Sequence, residues 1–259
     1  MKINKRKVIR AIGYILIVAS LGFFGWEYYL TQQSKAANSE LNDLNTQIIE
    51  NMIPIEDQLS DKEKLAISIK RINEEFFGIN EDYVGWIEIK GTNINYPIVL
   101  GNDNDYYLRH NFRRRKIKHG AIFMDYRNKP DYSDHHTVIY GHSMRDGTMF
   151  RVLDKYKNQS FISGHETISI RTLTGYRTYQ IFSAYLVDAT KTGLEIPANN
   201  RDVQSLISYY KSQSRYRINT DTSEADHVLT LVSCNYDVDN GRIIVHAVLV
   251  DVHEISDQE

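Results

Sequence analysis

The chain holds one cysteine, Cys234, at the end of the apolar run Val228-Leu229-Thr230-Leu231-Val232-Ser233. Eight residues on, Arg242 opens a second run, Ile243-Ile244-Val245-His246-Ala247-Val248-Leu249-Val250. Two strands joined by residues 235–241 would form a hairpin with a thiol and a guanidinium side by side at its open end. A thiol beside a fixed cation is the setting in which cysteine works as a thiolate nucleophile. The competing reading is a buried, inert cysteine, because free cysteine ranks among the most buried residue types.

A thiol with an ordinary pKa of ~8.5 is mostly protonated at neutral pH, so a nucleophilic cysteine needs a base or ion-pair partner, usually histidine. Nine histidines are present, and His142 is the best placed. It directly follows the strand pattern Thr137-Val138-Ile139-Tyr140-Gly141 and precedes the loop 143–147. Gly141 would let the backbone turn sharply and a substrate approach closely. Cys234 and His142 follow strands and Arg242 begins one, so the three would meet at one rim of a barrel, where loops surround an open mouth. His246, inside the last strand, reads as packed or barrel-facing. His135 and His136 fall in a polar loop and read as solvent-exposed, while His110, His119, His165, His227 and His253 have no special context. A metal site is the alternative use for so many histidines, but no H-x-x-x-H or H-E-x-x-H pair occurs and no carboxylates flank them at ligand spacing. A serine nucleophile would lack its G-x-S-x-G setting.

The N-terminus decides where this chemistry takes place. Lys2, Lys5, Arg6, Lys7 and Arg10 precede residues 11–30, a stretch whose only charge is Glu27. Twenty residues at ~1.5 Å rise match a ~30 Å hydrocarbon core. Trp26, Tyr28 and Tyr29 cluster at the far edge, where interfacial aromatics belong. The positive-inside rule then puts residues 1–10 in the cytoplasm and everything after residue 30 outside. A cleaved signal peptide is the rival, since Ser34-Lys35-Ala36 has the small-x-small form of a cleavage site, although an h-region of ~7–15 residues is shorter than this run. Outside the cytoplasm a disulfide-stabilised domain would show an even number of cysteines. A single thiol there needs another reason, and reactivity is the best candidate.

Residues 31–54 are polar with sparse apolar positions (Leu41, Leu44, Ile48, Ile49) and suggest a stalk helix. Residues 57–77 form a second, amphipathic helix in which Leu65, Ile69, Ile72 and Phe76 recur at helical spacing and Ser60 with Glu63 resembles a capping box. From Tyr83 the pattern changes to short strands: 84–89, 95–100, 120–126, 137–141, 167–173, 177–187, 228–234 and 242–252. A helical turn at 103–108, a short helix at 148–156 and a helix at 200–214 interrupt them, and 254–259 is a polar tail. About eight strands with short helices, preceded by two helices, make a mainly β fold, a barrel or sandwich with helical additions. A formal net charge of −2 leaves no nucleic-acid footprint. The one basic cluster, Arg113-Arg114-Arg115-Lys116-Ile117-Lys118, reads as a solvated loop or as a contact for anionic lipid or cell-wall precursor.

Thr230-Leu231-Val232-Ser233-Cys234 followed by Arg242 resembles the T-L-x-T-C…R signature of sortases, and Val138-Ile139-Tyr140-Gly141-His142 resembles the family's histidine strand. The similarity runs over roughly residues 80–252 and includes Thr92-Asn93-Ile94-Asn95-Tyr96-Pro97-Ile98-Val99, Asp103-Asn104-Asp105-Tyr106-Tyr107-Leu108 and Gly120-Ala121-Ile122-Phe123-Met124-Asp125-Tyr126-Arg127. With the two N-terminal helices and the helix in the 188–227 connection, it is similar to class B sortases specifically. Ser233 stands where the family often has threonine, which keeps a hydroxyl and bears on pocket shape or substrate preference.

The resemblance implies an eight-stranded β-barrel with two N-terminal helices and a helix in the long connection before the cysteine strand. It divides the chain into a cytoplasmic stretch 1–10, an anchor 11–30, a stalk 31–54, a catalytic domain 55–253 and the tail 254–259. It further implies a membrane-bound transpeptidase that cleaves a C-terminal sorting signal of secreted proteins after threonine. Cys234 would form a thioester, His142 would act as general acid and later base, and Arg242 would hold the oxyanion or the substrate backbone. Asn104, Leu108 and Ser233 would belong to the peptide-binding site, with a purely structural reading equally open for Leu108. The acceptor would be an amine of peptidoglycan or of its lipid-linked precursor; no dissociable cofactor and no metal would be required. Two rivals stay open at this point. A hydrolytic cysteine peptidase would resolve the thioester with water, and a membrane-tethered binding module would use neither Cys234 nor His142 for chemistry.

Overall fold

Short strands with an inward apolar face cannot stand alone in water, and here they bury that face by closing on each other. The computed structural model describes residues 5–52, 61–188, 203–234 and 241–255. The expected loop 235–240, the first residues of the 200–214 helix, Ser60 of the capping box, the end of the stalk at 53–54 and the tail 256–259 lie outside the described residues.

Helices α1 (Lys5–Met52) and α2 (Asp61–Ile79) come first, followed by strands β1 (Tyr83–Glu88), β2 (Asn95–Leu100), β3 (Ile122–Met124) and β4 (His136–Gly141). A 3₁₀ segment (Phe150–Lys157) runs into the short helix α3 (Gln159–Ile162). Strands β5 (Thr167–Thr172) and β6 (Gly175–Asp188), helix α4 (Val203–Gln213) and strands β7 (Val228–Cys234) and β8 (Gly241–Glu254) complete the order. The eight strands form a closed barrel in the order β1-β2-β3-β4-β7-β8-β6-β5. Pairs β2/β3 and β4/β7 are parallel and the others antiparallel. Closure leaves no unpaired edge.

An eight-stranded barrel is just wide enough to be filled by side chains. Its lining includes Ile87, Ile98, Ile122, Ile139, Ile170, Ile181, Leu229, Leu231, Ile243 and Val245, all essentially inaccessible to water. Two further apolar clusters cover the barrel from outside. On β1–β3, Trp86, Val99 and Phe123 meet Phe76, Ile72 and Leu41 from the two N-terminal helices. On β6–β8, Phe182, Ile244 and Val248 meet Ile207 and Tyr210 of α4.

The expected anchor and stalk form one unbroken helix rather than two segments. Its first half is exposed and apolar (Ile15, Leu16, Ile17, Val18, Leu21, Phe23, Phe24), and among the described residues it is the one helix long and apolar enough to cross a membrane. Its second half docks on the barrel: Leu41 is buried, and Asn45 Oδ1 accepts a hydrogen bond of 2.7 Å from Arg171 Nη2. The basic cluster is bound into the same interface, with Arg113 paired to Glu40 and Lys118 to Glu27, while Arg114 pairs with Glu81 and Asp82. In α2 the stripe of Ile69, Ile72 and Phe76 is buried as its spacing predicts.

Candidate active site

Strands β4 and β7 run parallel and β8 runs back beside β7, so the ends of β4 and β7 and the start of β8 lie at one end of the barrel wall. Gly141 pairs with Ser233, and Cys234 pairs with Arg242. Positions 142, 234 and 242 are therefore neighbours across three adjacent strands, and antiparallel partners such as 234 and 242 stand ~5 Å apart at Cβ.

Their face follows from alternation, the period-2 rule of strands. Leu229, Leu231, Ile243 and Val245 line the interior, so 230 and 232 on β7 and 242, 244 and 246 on β8 face outward. His142 lies on the same side, because its Nε2 reaches the carbonyl oxygen of Leu108 at 2.8 Å, and Leu108 packs on the outer cluster. The three residues expected to react are thus at one end of the wall, with His142 and Arg242 on its outer surface rather than around an open mouth. The reason is packing: the barrel bore is filled by its apolar lining.

Alternation also corrects two expectations. Ser233 shares the inner face with Leu231 and is 1% exposed, so its hydroxyl belongs to the barrel lining and not to a peptide groove. Gly141 is not placed for a sharp turn or for substrate approach. A Cβ there would sit 2.5 Å from Ile122 and 2.7 Å from Phe150, so glycine is required by close packing inside the barrel. By contrast Gly120, with φ +60°, holds a left-handed conformation against the Tyr107 and Leu108 carbonyls and keeps the 106–108 turn pressed to the wall.

The carbonyl of Leu108 has a direct consequence for His142. A carbonyl only accepts, so Nε2 carries a hydrogen and donates it to Leu108. Leu108 was expected either to line the groove or to serve a structural role; its backbone oxygen orients the imidazole. Arg242 is half-buried and donates from Nη1 to the Gly241 carbonyl at 3.0 Å. Asn104 lies beside β3 and β4, where its Nδ2 donates to Asp125 Oδ2 at 3.0 Å and its Oδ1 accepts from the Tyr126 backbone at 3.1 Å.

Three buried polar groups near these strands carry no signal in the linear sequence. Asp125 is fully buried at the end of β3. Burial alone would raise its pKa, but hydrogen bonds from Arg127, Asn104 and Tyr140 prevail and hold it below the ordinary carboxylate range. His136 is not in an exposed loop: it starts β4, is fully buried, and its Nε2 lies 2.7 Å from Thr230 Oγ1. The same hydroxyl lies 2.7 Å from His246 Nδ1, and His246 stacks on Tyr210 with ring centres 3.6 Å apart. Burial first, and the neighbouring His136 second, push His246 well below the usual histidine pKa, so it is neutral. Finally, His119 Nε2 meets Asp146 Oδ2 at 3.0 Å and ties the segment before β3 to the loop that follows His142. Among the described residues no group of three or more metal-ligating side chains is found.

Residues 87–250 match the sortase domain family. The chain belongs to the sortase family. Sortase B of Listeria monocytogenes is 40% identical over 177 residues, which is 66% of this chain and 71% of that protein. The crystal structure of Clostridium perfringens sortase B is 34% identical with a TM-score of 0.65, covering 69% of this chain and all of the other. A Staphylococcus aureus sortase B–substrate complex is 29% identical with a TM-score of 0.70, covering 87% and 98% of the two chains. Sortases are cysteine transpeptidases of the cell wall, and they join proteins bearing a sorting signal to amines of the wall. This sortase has one cysteine to offer, at the end of β7.

Proposed function

We propose that this sortase is held in the membrane by residues 11–30, with 1–10 cytoplasmic and the barrel outside, and that it cleaves a sorting signal after threonine. The register that makes positions 142, 234 and 242 neighbours across three adjacent strands carries the reading. Cys234, as thiolate, attacks the threonine carbonyl carbon. The carbonyl electrons move to oxygen, and Arg242 donates hydrogen bonds to that oxyanion; only a guanidinium offers a planar fork of donors for it. Collapse breaks the peptide bond, His142 protonates the departing amine, and a thioester remains. An amine of peptidoglycan or its precursor then attacks the thioester, His142 takes its proton, and Cys234 leaves again as thiolate.

Placement of each group supports these roles. The Leu108 carbonyl, 2.8 Å from Nε2, fixes the orientation of the His142 ring. Asn104 lies against Asp125 and Tyr126 just past the end of β3 and would line the peptide groove together with the Leu108 segment. The rigid docking of α1 keeps the barrel next to the span, within reach of both secreted protein and lipid-linked acceptor.

The test uses the full chain in detergent micelles with a panel of fluorogenic sorting peptides, with and without triglycine or diaminopimelate, and mass spectrometry of protein and products. A thioester adduct on the enzyme and an amine-ligated peptide, both lost in Cys234→Ala, are expected. Hydrolysis alone with every acceptor would replace transfer by a peptidase activity. No cleavage of any peptide would leave a binding module.

A further inference from the structure

We infer that Asp125 is a positioning residue of the peptide groove, fixing the carboxamide of Asn104 in a single orientation toward the substrate. The inference rests on the reading that Asn104 lines that groove.

Five donors converge on this one fully buried carboxylate. Oδ1 accepts from Arg127 Nε at 2.9 Å and from the Arg127 backbone at 3.0 Å. Oδ2 accepts from Arg127 Nη2 at 2.8 Å, Asn104 Nδ2 at 3.0 Å and Tyr140 Oη at 3.0 Å. A carboxylate offers about four lone-pair sites and no donor, so the site is saturated and accepts only an ionised acid. Arg127 supplies the compensating charge through a bidentate pair, which makes burial of the carboxylate tolerable.

The arrangement leaves Asn104 no freedom. Its Nδ2 faces an acceptor and its Oδ1 faces a backbone donor, so a flipped amide would set oxygen against carboxylate and NH₂ against N–H. One N–H and one lone pair of the carboxamide remain for a ligand, a donor–acceptor pair that matches a peptide unit. Tyr140 brings the same anchor to β4: it stacks on Phe123 and lies two residues before His142. Asp125 thus joins a groove side chain to the strand that ends at the histidine, without itself meeting substrate.

A double-mutant cycle on kcat/KM tests this with the full chain in micelles and the sorting peptide found above. Asn104→Ala and Asp125→Asn should each lower kcat/KM by about tenfold or more, the scale of a misplaced positioning group. The double variant should be no worse than the weaker single variant, because both changes remove the same oriented amide. The alkylation rate of Cys234 by iodoacetamide should stay within about twofold of the parent in Asp125→Asn, which separates groove positioning from collapse of the catalytic end. Losses that multiply in the double variant, or parental kinetics in Asp125→Asn, would overturn the inference while leaving the groove reading intact. Parental kinetics in Asn104→Ala would remove the groove reading itself. If Asp125→Asn does not fold, Arg127→Met takes its place, and its loss must likewise vanish in the Asn104→Ala background.

Discussion

Replacing Thr230 by valine changes almost no volume and removes one hydroxyl, which makes it a clean probe of the polar network behind the cysteine strand. Thr230 is fully buried, and its Oγ1 lies 2.7 Å from both His136 Nε2 and His246 Nδ1. With His246 neutral, the arrangement closes as a chain. The single hydroxyl hydrogen of Thr230 goes to one ring nitrogen while its oxygen accepts from the other, and His246 Nε2 meets Tyr185 Oη at 3.1 Å. Valine breaks two of these bonds and leaves their ring nitrogens facing a methyl group. Each buried polar atom deprived of its partner costs about 1–3 kcal/mol, so the loss from two should be about 2–6 kcal/mol. For a domain of this size that lowers Tm by roughly 4–24 °C. Thr230→Ser keeps the hydroxyl and loses only a methyl group, at about 1 kcal/mol. The assay is urea unfolding of the micelle-held chain followed by fluorescence of Trp86, buried against Phe76 in the outer cluster. Equal losses for valine and serine would refute the reasoning, because the cost would then follow volume and not the hydroxyl.

Acid should weaken the same network. The folded pKa of His246 lies below its unfolded value near 6.5, so the unfolded state takes up the proton first. Its stability contribution is fully present above pH 6.5 and is lost as pH falls below it, by up to about 1.4 kcal/mol per pH unit. The difference in slope between the parent and His246→Gln from pH 7 to 5, in the same urea assay, measures it; identical slopes would dismiss the effect. Gly141→Ala should cost about 1–3 kcal/mol by overpacking against Ile122 and Phe150, and by shifting His142 should lower kcat more than KM. Unchanged Tm and kcat would mean the wall yields there freely. Asn45→Ala should lower Tm by a few degrees, since Arg171, 5% exposed, loses its hydrogen bond to α1. An unaltered Tm would show that the helix docks without that bond.

Much of this protein is legible in its linear chain because the signals are local. Twenty apolar residues after a basic start mark the span, and the period-2 runs mark the strands. The unusual position of a lone cysteine before an arginine strand points to the chemistry, and the family resemblance adds the roles. Where the reading departed from the structure, the missing information lay on other strands. His136 stands among Asp134, His135 and Thr137 and looks solvated, but pairing of β4 with β7 and β8 sets Thr230 and His246 beside it. Ser233 reads as a neighbour of the expected nucleophile, yet the pleat turns it inward with Leu231 and buries it in the barrel lining. Gly141 carries no mark of the Ile122 and Phe150 side chains that forbid a Cβ there.

Sequence by itself determined the strand count and the family, and it singled out residues 11–30 as the expected span and Cys234, His142 and Arg242 as the expected reacting groups, since each is written in residue types over a short window. Tertiary structure alone decided that His142 and Arg242 face outward from the wall, because the bore is filled by apolar side chains. It also decided that the Leu108 carbonyl orients His142 and that Asp125 holds Asn104. A hydrogen bond between residues 34 or 21 positions apart exists only once closure of the barrel has brought their strands together.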